Sequence, residues 1–359
     1  MWDLAVREQD HASAQAMLQR YHGAPPWSNR MLLAFVRGDS APRAGLLEEA
    51  KASENRQVQI AARFVATYLG DLASAEELAR LELAWRRQPA IRQGTQLLLG
   101  WLEIGRGRWS SARRAFLAAE QEGAVAGKVH RALAAALPFL VLPRSDLLAV
   151  RSEIEAWTPE RDPDERTATA TALRPHLRLY LLGLLSSRLG QPAEARRYLD
   201  QLERLPVLPG SAGVVRGLAQ TIRADVAWQA ENPTEVLAAL GEVILEIPLE
   251  LLSVPAFVVA REYTLEHARY LRAAALAALR RDSEALRWLR TGLQGAPNEF
   301  AYLAPVHRLL AEIQERAGDR AGATTHYDQV VRLWKDGDQA QRAAAAEAGE
   351  RLRRLRDGP

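Results

Sequence analysis

Apolar residues recur at three- and four-residue spacing through nearly every segment of the chain, in stretches rich in Ala, Leu, Arg and Glu. Nothing alternates with the period of two that marks a strand, so the pattern predicts an almost entirely helical protein. Tight breaks punctuate it at Gly38-Asp39, Gly70-Asp71, Gly107-Arg108, Pro143-Arg144, Gly190-Gln191, Glu231-Asn232, Arg281-Asp282 and Gly318-Asp319, 32 to 50 residues apart. These are the signals of one helix ending and the next being capped. A second class of break, at Pro89, Gly123, Pro163, the PVLPG run at 206–210, Pro248 and Pro297, falls between them, so each interval holds two amphipathic helices.

The intervals repeat one another in spacing but not in identity. Leu99-Gly100, Gly107 and Ala112 share their offsets with Leu182-Gly183, Gly190 and Ala195; Ala311, Gly318 and Ala323 follow the same rule. Phe116, Leu199 and Tyr327 come four residues after each Ala, one helical turn along the same face. A helix pair this small cannot bury its own apolar face, so neighbouring pairs stack and share one core, which is the logic of a solenoid. The repeated positions are therefore packing positions.

The spacing resembles the tetratricopeptide repeat, whose pattern includes Leu-Gly, a turn Gly and Ala-x3-Phe at these offsets. Good matches cover 93–124, 176–206 and 304–335, with weaker ones near 56–88, 217–247 and 266–297. Glu103 stands where the repeat expects an aromatic, and several intervals exceed the family's length, which implies an irregular superhelix. The last 60 residues resemble the closing part of repeat regions attached to bacterial serine/threonine kinases and transcriptional regulators, and residues 2–21 read as the second helix of a pair whose upstream partner domain is absent or separately encoded. The expected fold is an all-α solenoid of seven or eight antiparallel helix pairs over residues 1–359, with flexible breaks near 157–166 and 206–212.

Composition narrows the function. The 359 residues are 48% hydrophobic and 25% charged, ordinary for a soluble protein. Cysteine is absent, which removes a disulfide framework, a thiolate metal site and a cysteine nucleophile. Among 47 basic residues only Lys51, Lys128 and Lys335 are lysines, the mark of GC-rich bacterial coding. A net charge of +3 is nearly balanced and argues against nucleic-acid binding. The N-terminus lacks an apolar signal core, and the longest apolar run, ALAAALPFLVL at 132–142, is interrupted by Pro138 and too short to cross a bilayer. A cytoplasmic chain without membrane insertion is the expectation, although cysteine usage does not separate cytoplasm from periplasm.

Motifs for chemistry are missing. His11, His22, His130, His176, His267, His307 and His326 are scattered without metal-binding spacing, so no metal and no cofactor is expected. The PGSAGVVRG stretch at 209–217 follows no strand and lacks the Gly-Lys-Ser/Thr ending of a phosphate loop, so Ser211 reads as a helix cap. Carboxylate pairs such as Glu76-Glu77 and Glu153-Glu155 lie near arginines and read as ion pairs. Enzymatic activity is not expected.

What remains is a surface. The resemblance implies a concave groove lined by the first helix of each pair, placing Trp101, Tyr180, Arg188, Asp225, Trp228, His267, Tyr270, Arg308 and Glu312 on it, with Ile104, Leu184, Thr221 and Arg316 beside them. Aromatics with both charge signs suit an extended peptide or a partner protein. The competing reading makes Trp101, Tyr180 and Trp228 interhelical core. The function expected is a non-enzymatic interaction or scaffold module; the alternative is a sensor array that binds a small effector and signals to a kinase or transcription-regulator partner, favoured by an enclosed polar pocket. Trp2 and Trp27 near one end suggest self-association there.

Overall fold

Each tight break does its work locally. Asp71, Asn232 and Asp319 accept hydrogen bonds from the backbone amides of Ser74 (3.0 Å), Glu235 (3.1 Å) and Gly322 (2.9 Å), capping the helices they precede. Ser211 occupies the cap position ahead of its helix, yet its hydroxyl makes no capping bond. The turn glycines Gly107, Gly190 and Gly318 sit at φ +72°, +71° and +77°, the left-handed conformation that ends a helix cheaply only at glycine.

The computed structural model describes residues 25–53, 57–123, 125–159, 168–241, 265–291 and 297–357, together with Ala16 and Tyr263. Apart from Ala16, the expected helix at 2–21 lies outside these residues, as do Trp2, His11 and His22. So do Asp162, Pro163, Asp164 and Pro248, and most of the break expected near 157–166. The described residues form α1 (Trp27–Arg37) and α2 (Ser40–Ser53), α3 (Val58–Leu69) and α4 (Leu72–Trp85), α5 (Pro89–Gly105) and α6 (Trp109–Gln121), then α7 (Ala126–Ala135) and α8 (Arg144–Ala156). There follow α9 (Ala168–Arg188) and α10 (Pro192–Arg204), α11 (Ala212–Gln229) and α12 (Pro233–Leu240), α13 (Glu266–Ala278) and α14 (Asp282–Leu289). A 3-10 turn (Pro297–Tyr302) leads into α15 (Leu303–Arg316) and α16 (Arg320–Trp334), and α17 (Gln339–Asp357) closes the series. No strand occurs among the described residues.

The architecture is an α-solenoid of stacked antiparallel pairs. The first helices form a continuous inner layer, α1 against α3, then α5, α7, α9, α11, α13 and α15, each touching the next. The repeated positions pack as the spacing requires: Ala112, Ala195, Ala311 and Ala323 are fully buried, and Phe116 fills the space beside Gly100. Glu103, the residue that departs from the repeat pattern, is also buried. It pairs with Arg80 (2.5 Å) and Arg108 (2.7 Å), while Glu76 holds Arg80, Arg106 and Arg108, so this departure joins two repeats through ions.

The stack closes on itself. One buried cluster contains Trp27, Met31 and Val65 from the first repeats together with Phe300, Tyr327, Trp334 and Leu352 from the last. The 3-10 turn lies on α5, where Gly105 leaves room for the backbone of Phe300. Farther along, the Asp338 amide donates to the Gly107 carbonyl (2.7 Å) and the Asp338 carboxylate accepts from the Trp109 amide (2.8 Å). Trp27 is buried and donates its indole N–H to Leu46 O (2.9 Å).

Closure makes a prediction about two helical glycines. A Cβ at Gly105 would stand 2.7 Å from the Phe300 carbonyl oxygen, whereas one at Gly45 of α2 would meet nothing within 4 Å. Gly105→Ala should lower stability by about 1–3 kcal/mol in chemical denaturation, and Gly45→Ala should raise it by about 0.5–1 kcal/mol. Equal effects of the two would remove the close contact from the account.

Candidate functional site

Closure turns the inner layer into an interior. Tyr180 of α9, Asp225 of α11 and His267 of α13 lie on consecutive inner helices and are 2%, 0% and 5% exposed. His267 Nε2 lies 2.7 Å from Asp225 Oδ1. The Tyr180 phenol hydrogen-bonds Thr221, and burial, reinforced by the Asp225 carboxylate, drives its pKa far up. Arg188 donates to the Leu140 (2.6 Å) and Pro138 (3.3 Å) carbonyls; burial lowers its pKa and Asp225 opposes the shift.

Those two carbonyls belong to the segment between α7 and α8, whose Leu137 and Leu140 are buried in the main core. Phe139 from this segment stands edge-on to Tyr270 of α13 and to Tyr302 of the 3-10 turn, with both centroid distances at 5.2 Å, and the two tyrosines are 5.7 Å apart. Three rings from distant parts of the sequence thus meet in one cluster, in the tilted and edge-on geometries that aromatic quadrupoles favour.

A cavity of about 190 Å³ opens beside this cluster, between α13, α14, the 3-10 turn and α15. Its wall is mostly apolar, with Tyr270, Ala273, Trp288, Leu289, Tyr302, Leu303, Val306 and Leu310. Its polar members are Glu266, Arg269, Arg290, Glu299 and His307. Leu265, held at φ +53° and packed over Gly217, starts α13 so that Glu266 is its first residue.

The charges in this wall are unevenly placed. Glu266 and Glu299 are buried, while Arg290 is exposed. Arg269 pairs with Glu266 (3.0 Å), and Arg63 of α3 stabilises Glu299 from across the closed ring. Burial raises the Glu266 carboxyl to about 7, with Arg269 opposing and Glu299 assisting. His307 Nδ1 lies 2.9 Å from His326 Nδ1 of α16, and burial, aided by that second ring, takes His307 down to about 4. His307 is therefore neutral at pH 7.

The structure gathers Tyr180, Arg188, Asp225, His267 and Tyr270 from the residues expected on the groove, but within packed interior; only Tyr270 lines the cavity. Trp101 lies elsewhere, 2% exposed, donating to His130 Nδ1 (2.7 Å) and packed edge-on against Phe116. Trp228 is half-buried against the main core. Arg308 and Glu312 pair with each other (3.0 Å), and Arg308 also reaches Glu347 of α17 (3.4 Å). Sequence reasoning passed over Phe139, Glu266, Trp288, Glu299, Tyr302 and His307. Phe139 and Tyr302 carry no repeat signal, because their places are set by the inward fold of one connection and by ring closure. Among the described residues no three His, Asp or Glu side chains gather as a metal site.

Glu266 gives the site a pH signature. Its folded pKa near 7 exceeds its ordinary value of 4.5, so its protonated form stabilises the fold below pH 4.5 and that contribution disappears as pH rises through 7. The neutral His307 works oppositely, losing stability as pH falls from 6.5 to 4. Glu266→Gln should match the wild type near pH 4 and become more stable than it by about 3 kcal/mol by pH 8. Denaturant titrations at each pH check this, and a pH-independent difference would contradict it.

No protein-family model and no curated protein matches the chain. Among solved structures, the apo form of the quorum sensor NprR from B. thuringiensis is similar at 14% identity and a TM-score of 0.33, covering 92% of this chain and 98% of that one.

Proposed function

We propose that this chain is a tetratricopeptide-type sensor that works by recognition without chemistry, taking a small effector into the cavity between α13, α14 and α15. The observation that carries this reading is the dual position of the 3-10 turn. Glu299 and Tyr302 line the cavity, while Phe300 between them is fully buried in the cluster that joins the first and last repeats. A ligand pressing on one side of this turn therefore biases the contact on the other, and any ligand that favours the closed state shifts the population toward it. The partner that reads the change is a protein, in keeping with the interaction role of helical repeats.

The packed interior speaks against an extended peptide along the inner layer. Such a peptide would need Trp101, Tyr180 and His267 accessible, and each is no more than 5% exposed. Loop 137–142 would also have to leave, breaking the Arg188 bonds to Pro138 and Leu140.

A binding screen separates these readings. A thermal-shift survey of small molecules and of ten-residue peptides would be run on the wild type and on Val306→Trp, which fills the cavity; circular dichroism confirms that both fold. Small-molecule stabilisers lost in Val306→Trp are expected. Stabilisation by peptides alone, unchanged in Val306→Trp, would overturn the sensor reading in favour of an opened groove.

A further inference from the structure

The charged groups in the depth of the cavity wall already face their opposites. Glu266 is paired with Arg269 (3.0 Å), and Glu299 meets the charge of Arg63 from α3. His307 has its Nδ1 engaged by His326 Nδ1 at 2.9 Å, and Arg290 stands at the exposed edge. A charged ligand would give up its hydration here without gaining a free counter-ion among the described residues, a costly exchange in an enclosure that is mostly apolar.

The groups with hydrogen bonds still to make are uncharged. Tyr180, Tyr198 and Tyr327 each bond a partner through the phenol: Thr221, Glu155 (3.0 Å) and Glu315 (2.6 Å). Tyr270 and Tyr302, the two tyrosines that line the cavity, have no hydrogen-bond partner for their hydroxyls among the described residues. Tyr302 is 8% exposed; burial drives its pKa far up, with Tyr180 and then Glu266 and Tyr270 of the cavity wall adding to the rise. It is therefore a neutral hydroxyl with one proton to donate, and leaving such a group unpaired in the interior carries a penalty that a ligand oxygen removes.

The rest of the wall suits a hydrocarbon body, with Ala273, Trp288, Leu289, Leu303, Val306 and Leu310. The volume, about 190 Å³, somewhat exceeds a cavity of about 150 Å³ that holds benzene, which leaves room for one ring and a short polar arm. Resting on the sensor reading above, we infer that the effector is a small uncharged molecule, an apolar body about one ring in size carrying an oxygen that accepts a hydrogen bond from the Tyr302 hydroxyl. A cation would find Glu266 and Glu299 already compensated, and an anion would find Arg269 and Arg63 likewise committed. A pure hydrocarbon would fill the space and leave the hydroxyl unpaired.

Four probes of one shape test this: 2-phenylethanol, ethylbenzene, phenethylamine and phenylacetate, titrated calorimetrically into the full chain at pH 8. 2-Phenylethanol should bind at least about tenfold more tightly than either charged probe. Tyr302→Phe, which keeps the ring, should weaken 2-phenylethanol about fivefold and leave ethylbenzene unchanged; if that variant fails to fold, the order of neutral and charged probes on the wild type decides. Preference for either charged probe, equal binding of all four, or 2-phenylethanol binding unchanged in a folded Tyr302→Phe overturns the inference, while sensitivity to Val306→Trp keeps the cavity as a ligand site. If none of the four binds, or if binding persists in Val306→Trp, both the inference and the sensor reading fall.

Discussion

The passage of the Phe300 backbone over Gly105 is the contact on which this structure turns. A stack of helix pairs ordinarily leaves an inner face open along its length, because each repeat touches only its neighbours. Here the 3-10 turn before α15 returns to α5, and a side chain at Gly105 would collide with it. Asp338 then binds the backbone at Gly107 and Trp109, so the last repeats are tied to the third pair by directional bonds as well as by burial. A linear array becomes a ring with one core running across its ends.

Closure changes what the inner helices are for. Residues that would line a groove in an open solenoid are interior here, and a buried ionisable group must find partners or shift its pKa. Asp225 finds His267, Trp101 finds His130, and Tyr180 remains a neutral phenol with Thr221. Glu266 is the instructive exception: even with Arg269 at 3.0 Å, burial holds its proton to about 7. That imbalance sits in the wall of the cavity between α13, α14 and α15. The closing turn and the cavity share residues, so under the proposed sensor reading occupancy and ring closure are linked through one short segment.

Much of the fold was legible in the chain. Repeated offsets at Gly100, Gly183 and Ala311 identified interhelical contacts, because close packing constrains size at fixed positions whatever the surrounding residues. Turn glycines and Asp caps marked the helix ends for the same local reason. Ring closure was not legible: Gly105 reads as one more small residue in a helix, and only the backbone passing over it, almost 200 residues later in the chain, gives it meaning. Glu103 was visible as a departure from the repeat, but its ion pairs with Arg80 and Arg108 depend on how α4, α5 and α6 meet. The candidate site was mostly illegible, since Tyr270 alone among the expected residues lines the cavity. Phe139 comes from a connection without periodicity, and Glu266, Glu299 and His307 acquire their character from burial, which sequence spacing does not report.

The absence of cysteine makes the central claim directly measurable, because two introduced cysteines would carry the only labels. Spin labels at Ser110 and Asp336, both exposed and on opposite sides of the closing contact, report its state by pulsed dipolar spectroscopy. A closed ring gives one short distance, about 20 Å or less with label arms included, since Arg106 and Asp336 are 3.9 Å apart at the same contact. An open stack of first helices from α5 to α15, stepping 8–10 Å each time, would place the labels roughly 40–50 Å apart and would contradict the account.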